Sequence, residues 1–244
     1  MKSVSRTFAI AHRVLLTIRG DRRTVVLMFL VPALLVGLFS WMFNAPAMFN
    51  KVGGRLIGLF PFVVMFLAAS ITTLKERRSG TLERFLTTPM RNGEFITGYA
   101  LAFFAMALVQ TALTLGFAIY VCGFDTQDNA WYLYLAAVVN AVCGMSLGLL
   151  ASAFAQSEFQ VIQFMPAFIF PQIILGGLFV PVEQMPDALH VLSDWLPLTH
   201  SLRAILYITD GHPTEDVLQQ ILIVAAVCLG SLLLGSLTLR KKTA

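Results

Sequence analysis

The stretch that decides the fold covers residues 56–95 and reads LIGLFPFVVMFLAASITTLKERRSGTLERFLTTPMRNGEF. Its first nineteen residues, 56–74, carry no ionisable side chain. At 1.5 Å rise per residue, a helix of that length is nearly as long as a hydrocarbon core is thick, about 30 Å. The next twenty-one residues, 75–95, hold eight of the chain's thirty charged side chains. The whole chain is 57% apolar and 12% charged, with a mean hydropathy of +0.78, whereas a soluble domain is about 25% charged. The change of composition at Lys75 therefore marks the point where the chain leaves a bilayer.

The same pattern recurs. Six spans are expected, at 24–43, 56–74, 99–121, 131–155, 159–180 and 217–239, which makes the chain an all-α integral membrane protein. Fourteen of the seventeen Lys and Arg residues lie on one side of these spans, in the N-terminal segment, the stretch after the second span and the C-terminal tail. Only Lys51, Arg55 and Arg203 fall on the other side. The positive-inside rule puts both termini in the cytoplasm, as expected for a multi-pass protein of a bacterial cytoplasmic membrane. The net charge of +4 is thus a matter of topology, and no nucleic-acid partner is implied. The N-terminus does not read as a cleavable signal peptide, because the apolar run after it is a full-length span.

The spans contain no Asp, Glu, Lys, Arg or His. Such groups mark ion pathways and proton relays, so their absence argues against an ion-coupled carrier and against hydrolysis within the membrane. No metal site is expected, since Cys122, Cys143 and Cys228 show no ligand spacing. No catalytic residue is assigned, because His190 and His200 join no nucleophile. The remaining polarity is neutral and includes Gln110, Thr111, Asn140 and Gln160. These groups either bond helix to helix or line a path. Ser70, Thr73, Gln163 and Gln172 are the candidates for a substrate path. In the fourth span, Ala137, Ala141, Gly144, Gly148 and Ser152 form a small-residue stripe for close helix approach, with no partner identifiable. Pro166, Pro171 and the pair Gly176-Gly177 predict a bent or broken fifth span.

Two regions outside the spans are amphipathic. Residues 1–23 carry a stripe of Val4, Phe8, Ala11, Val14, Leu15 and Ile18, with Arg6, Arg13 and Arg19 elsewhere around the helix. This reads as an interface helix on the membrane surface, or more plainly as a basic leader that sets topology. Between spans five and six, Leu189, Leu192 and Trp195, then Leu202, Ile205 and Leu206, predict two short re-entrant helices that dip into the outer leaflet. The turn at 156–158 makes spans four and five a tight hairpin.

Within the opening stretch, Leu82, Phe85, Leu86 and Pro89 fall on one helical face while Glu83 and Arg84 point away. Topology alone requires only Lys and Arg here. An apolar stripe flanked by both charge signs suits docking into a groove of a soluble partner, or else a loop lying on the membrane. The pattern Glu76-Arg77-x-x-Gly80-Thr81-Leu82-Glu83-x-x-Leu86-x-x-Pro89 resembles the motif after the second span of ABC type-2 transporter permeases. A second match, Gly177 through Pro181, Met185 and Pro186 to Pro197 and Arg203, is similar to that family's segment between spans five and six. A third runs from Arg19-Gly-Asp21-Arg22-Arg23 to Pro32. Arg78 departs from the family, which often has an acid there.

The resemblance covers nearly the whole chain and implies specific roles. Glu76, Gly80, Thr81, Leu82, Glu83, Arg84, Phe85, Leu86 and Pro89 would form a cytoplasmic coupling helix against an ATPase subunit. Phe8, Arg13, Arg19 and Arg22 of the interface helix would share that contact. Residues 24–242 would be the transmembrane domain of a drug-exporter-like permease. No phosphate loop occurs, nor any Gly-Lys dipeptide, so ATP and Mg would be bound by the partner ATPase and not by this chain. A second permease half, identical or related, would complete the path. The uncharged spans favour a hydrophobic or amphipathic cargo, drug or lipid-like. The competing readings are an ATP-independent carrier and an integral scaffold or lipid-modifying enzyme.

Overall fold

The computed structural model describes residues 2–79 and 92–238. The described residues are helical almost throughout. Helix α1 (Lys2–Gly20) is followed by α2 (Arg22–Phe43), α3 (Pro46–Arg78), α4 (Asn92–Tyr120) and α5 (Ala130–Phe154). The fifth span is α6 (Glu158–Phe164), a π-turn at Met165–Ile169 and α7 (Phe170–Leu175). Short helices α8 (Asp187–Ser193) and α9 (Pro197–Asp210) precede α10 (Thr214–Thr238). Six of these segments are long and apolar enough to cross a membrane, so the chain is a multi-pass membrane protein.

The largest difference from the expected spans lies in α3. This helix starts at Pro46, ten residues before the expected span, and its 33 residues reach about 50 Å at 1.5 Å rise. That exceeds the hydrocarbon core, so Lys51 and Arg55 ride on the helix instead of on a loop. Proline at N1, where a missing N–H costs nothing, starts the helix. Asn44 ends α2 in the left-handed conformation at φ 46°. Residues 46–55, with Gly53 and Gly54 among them, lay outside the expected span. Gly53, Gly54 and Gly58 leave room for Phe124 and for Ile205 of α9, both of which pack where side chains would stand.

Helix α3 is the hub, packing against α2, α4, α5 and α9. Its tightest contact answers a question the sequence left open. The small-residue stripe of α5 faces α3, and a Cβ added at Gly144 or Gly148 would land on the carbonyl of Phe62 or Phe66 respectively. Backbone thus meets backbone, the approach that small residues permit in membranes.

A proline inside a span frees the carbonyl four residues before it, and at Pro32 a neighbouring side chain takes it up. Pro32 has no N–H for the carbonyl of Met28, and the buried Gln110 Nε2 donates to that oxygen at 2.7 Å. Near Pro61, Asn140 Nδ2 donates to the Gly58 carbonyl at 2.9 Å. Both polar residues therefore tie helix to helix.

The fifth span is broken, as its prolines led us to expect. Pro166 opens the π-turn, closed by the Phe170 N–H bonding back to Met165. The regular helix stops at Leu175, short of the expected residue 180, because Gly176 and Gly177 turn the chain, Gly177 at φ +81°. At its start, Ser157 accepts from the Gln160 N–H at 3.1 Å while Gln160 Oε1 accepts from the Gln156 N–H at 2.7 Å. The two short helices behave differently. α8 exposes Leu189 and Leu192, with Trp195 just beyond, whereas α9 buries Leu202 and Ile205 against α3 and α5.

Candidate functional site

One end of the bundle gathers most of the described basic residues, and α1 organises it. Ile10, Ala11, Val14 and Ile18 are buried against Phe95, Ile96, Tyr99 and Ala102 of α4. Gly98 is the notch in which Ile10 sits, since a Cβ there would meet Ile10 at 2.6 Å. The buried face is rotated from the expected stripe. Val4 and Phe8 are 61% and 62% exposed, and so lie outside the contact. They sit on the flank of α1 left free for lipid or another protein.

The polar contacts of α1 are more specific. Arg13 bonds Glu76 near the end of α3 at 2.6 Å. Glu76 is 8% exposed, so the pair is a partly desolvated one in which each charge depends on the other. Arg6 reaches Glu94, in the first turn of α4, at 3.9 Å. Glu76 and Glu94 are the last and first buried acids on either side of residues 80–91. One helix thus holds both flanks of that segment. The Tyr99 ring is fully buried and stands 4.4 Å from Phe95, centroid to centroid.

The end of α3 is fixed on its other side as well. Arg77 donates to the Ser152 carbonyl at the end of α5, and Lys75 lies 4.0 Å from Glu158 at the start of α6. Ser79 closes the helix, its hydroxyl bonding the Glu76 carbonyl at 3.0 Å. The Lys75 pair is exposed and contributes little. The Arg77 bond is partly buried and holds more firmly.

Between α1 and α2, Asp21 caps α2 by accepting from the Thr24 N–H at 3.2 Å and the Thr24 hydroxyl at 2.6 Å. Those bonds hold the Asp21 carboxyl below the usual carboxylate range. The cap therefore persists through neutral pH and loosens as pH falls through that lowered value. Arg19 and Arg22 flank the turn and are exposed.

The expected coupling residues Gly80, Thr81, Leu82, Glu83, Arg84, Phe85, Leu86 and Pro89 lie outside the described residues, as do Arg240, Lys241 and Lys242 of the tail. Of that set, Glu76 alone is described. The four path candidates do not share one surface. Ser70 and Thr73 are buried, Ser70 bonding the Phe66 carbonyl of its own helix at 2.6 Å. Gln172 is also buried and spans from the Phe168 carbonyl to the Leu198 N–H. Gln163 is exposed on the broken fifth span. Sequence reading gave no site role to Arg6, Glu94, Gly98 or Tyr99. The one available signal was Glu94, an acid in a stretch where topology needs only basic residues.

At the opposite end the second motif shapes the chain. Pro186 and Pro197 start α8 and α9, and Pro181 leads into a short 3-10 turn that ends at Met185. Arg203 pairs with Asp194 at 3.0 Å, and the Gly177 carbonyl accepts from Arg55 at 3.1 Å.

Six helices able to span, the fifth of them broken, and an N-terminal helix bonded to both flanks of one charged segment define a multi-pass membrane protein. The chain belongs to the ABC-2 type transporter family, whose sequence profile matches residues 5–209. It is 27% identical over 205 residues to Nodulation protein J of Rhizobium leguminosarum bv. trifolii, covering 80% of this chain and 77% of that one. It is 26% identical over 145 residues to the probable multidrug ABC transporter permease YbhR of Escherichia coli (strain K12), covering 59% of this chain and 39% of that one. A match to ABC transporter G family member 20 of Dictyostelium discoideum, 29% identical over 150 residues, covers 62% of this chain and 20% of that protein. The matched region is thus a fifth to two fifths of the two longer relatives.

Proposed function

We propose that this chain is the permease half of an ATP-driven exporter in a bacterial cytoplasmic membrane, with α1 and both termini on the cytoplasmic side. The observation that carries this reading is the hold of α1 on Glu76 and Glu94, on either side of residues 80–91. A loop that only set topology would need no such frame. In the proposed complex a separate ATPase subunit binds ATP and Mg and docks on the apolar face of Leu82, Phe85 and Leu86. Its closure pushes on residues 80–91. The push passes through Arg13–Glu76 and Arg6–Glu94 into α3 and α4 together, because α1 links the two.

A second permease half, identical or related, faces the broken fifth span. Irregular backbone at membrane depth is tolerated where protein buries it or where it lines a water-filled cavity. Pro166, Phe168, Phe170 and Pro171 are all exposed in the single chain, which supports that face as the one meeting the second half and the path. Gln163 stands on it. A cargo without charge suits this apolar surface. The relative named as a probable multidrug permease supports a drug-like one.

The docking step has a direct test. Affinity-tagged permease extracted from its native membrane is expected to retain an ATPase subunit. Leu82→Asp, or joint charge reversal at Glu83 and Arg84, is expected to lose that subunit while the permease itself still elutes as a folded species. Undiminished retention in these variants would remove residues 80–91 as the docking site.

A further inference from the structure

Lys51, Arg55 and Arg203 are the three basic residues kept away from the basic end, and two of them meet in one recess. We propose that this recess, between α3, α9 and the turn after α7, is an oxyanion site for a phosphate-class group at the membrane–water boundary. Arg55, Arg203, Thr199, Gly177 and Glu183 are among its lining residues. Nothing in this proposal depends on the ATPase partner.

The donors are in place and under-used. Arg55 is half-buried and gives one hydrogen bond, to the Gly177 carbonyl at 3.1 Å. Among the described residues no carboxylate comes within 4.0 Å of it. A guanidinium has five N–H donors in a planar fork that fits phosphate oxygens well. Thr199, 1% exposed, lines the same recess, and its hydroxyl has no hydrogen-bond partner. A buried hydroxyl left unpaired is costly, so the recess calls for a polar occupant. Thr199 lies in the first turn of α9. The Leu198 and Thr199 N–H groups are already bonded, to Gln172 and to Leu196, so side chains supply the donors. Arg203 is steadied from behind by Asp194 at 3.0 Å.

Size and charge define the occupant further. The recess has a cavity volume of about 30 Å3, room for one water-sized group, and it opens to solvent. A terminal oxygen of a phosphate therefore enters and the remainder of the group stays in the mouth. Glu183, exposed and at that mouth, is the single acid among the lining residues. It opposes the anion and keeps binding weak and reversible. The exposed Phe179 and Trp195 nearby in sequence suit headgroup depth.

The test uses the full chain in a neutral detergent free of phosphate. Thermal unfolding is followed with inorganic phosphate, with a short-chain water-soluble phosphatidic acid, and with chloride at equal ionic strength. A phosphate-class ligand is expected to raise Tm by about 2–4 °C over chloride. Thr199→Val and Arg55→Gln are expected to abolish the rise. Glu183→Gln, which removes none of the hydrogen bonds described above, is expected to tighten binding about tenfold by taking away the opposing charge. A rise with both ligands assigns a free oxyanion, and a rise with phosphatidic acid alone assigns a lipid phosphate. Either supports the site. No rise in the wild-type chain, or an equal rise in every variant, overturns it and leaves a recess that holds water only.

Discussion

Gly144→Val is expected to abolish accumulation of folded permease, and Gly148→Val to do nearly the same. At both positions the new side chain would stand on a backbone carbonyl of α3, not on a flexible side chain that can turn away. The helices can accept it only by separating, which undoes the packing of Phe62, Phe66, Cys143 and their neighbours. Overpacking that side-chain adjustment relieves costs about 1–3 kcal/mol, and a clash with backbone lies beyond that range. The control is Gly116→Ala, on α4, where an added Cβ meets nothing within 4 Å. That change is expected to be neutral or slightly stabilising, since alanine is the better helix former. Size-exclusion profiles and thermal unfolding of the three variants check this directly. Equal tolerance at all three positions would contradict the α3–α5 packing.

Arg13→Glu and Glu76→Arg are each expected to cut ATP-coupled transport at least tenfold. Each leaves two like charges facing at the end of α3, where Glu76 is buried. Breaking a fully buried pair costs about 3–5 kcal/mol, and partial exposure of Arg13 brings this nearer 2 kcal/mol. Such a loss leaves the six-helix bundle standing and loosens α1 from α3. The readout that separates coupling from mere destabilisation is the ratio of transport to ATP hydrolysis. In the single variants hydrolysis by the complex should continue while transport falls. The double swap Arg13→Glu with Glu76→Arg should recover part of the ratio, because it restores an opposite pair in the same place. A double variant no better than the singles would show that the pair does not carry the coupling.

What the sequence disclosed depended on how local the cause was. The six spans follow from runs of apolar residues, and all six exist as helices. The broken fifth span follows from Pro166 and Pro171, whose missing N–H groups act on their own turn. Helix α3 is harder, because Gly53, Gly54 and Arg55 lay outside the expected span, and Phe124 and Ile205 fill the space beside the two glycines. Local propensity was overridden there by packing from residues far along the chain. The partner of the Gly144–Gly148 stripe was hidden for the same reason: small residues announce a close approach without naming the other helix.

The site divides in the same way. Arg13 and Glu76 stood out singly, one on an amphipathic helix and one as an acid where topology wants a base. Their pairing across 63 residues is a tertiary fact that neither neighbourhood contains. Val4 and Phe8 were placed on the stripe by helical spacing, yet α4 takes up a face centred nearer Val14. Periodicity located the apolar arc of α1, and the shape of α4, notched at Gly98, decided which part of it is covered.

The central claim is that force enters this chain from an ATPase subunit, and reconstituted transport tests it most directly. Proteoliposomes holding the permease with its co-purified ATPase subunit should move an amphipathic fluorescent dye only when ATP and Mg are supplied. Proteoliposomes holding the permease alone should not move it at all. Stable, stimulated transport by the permease without any ATPase subunit would contradict the account.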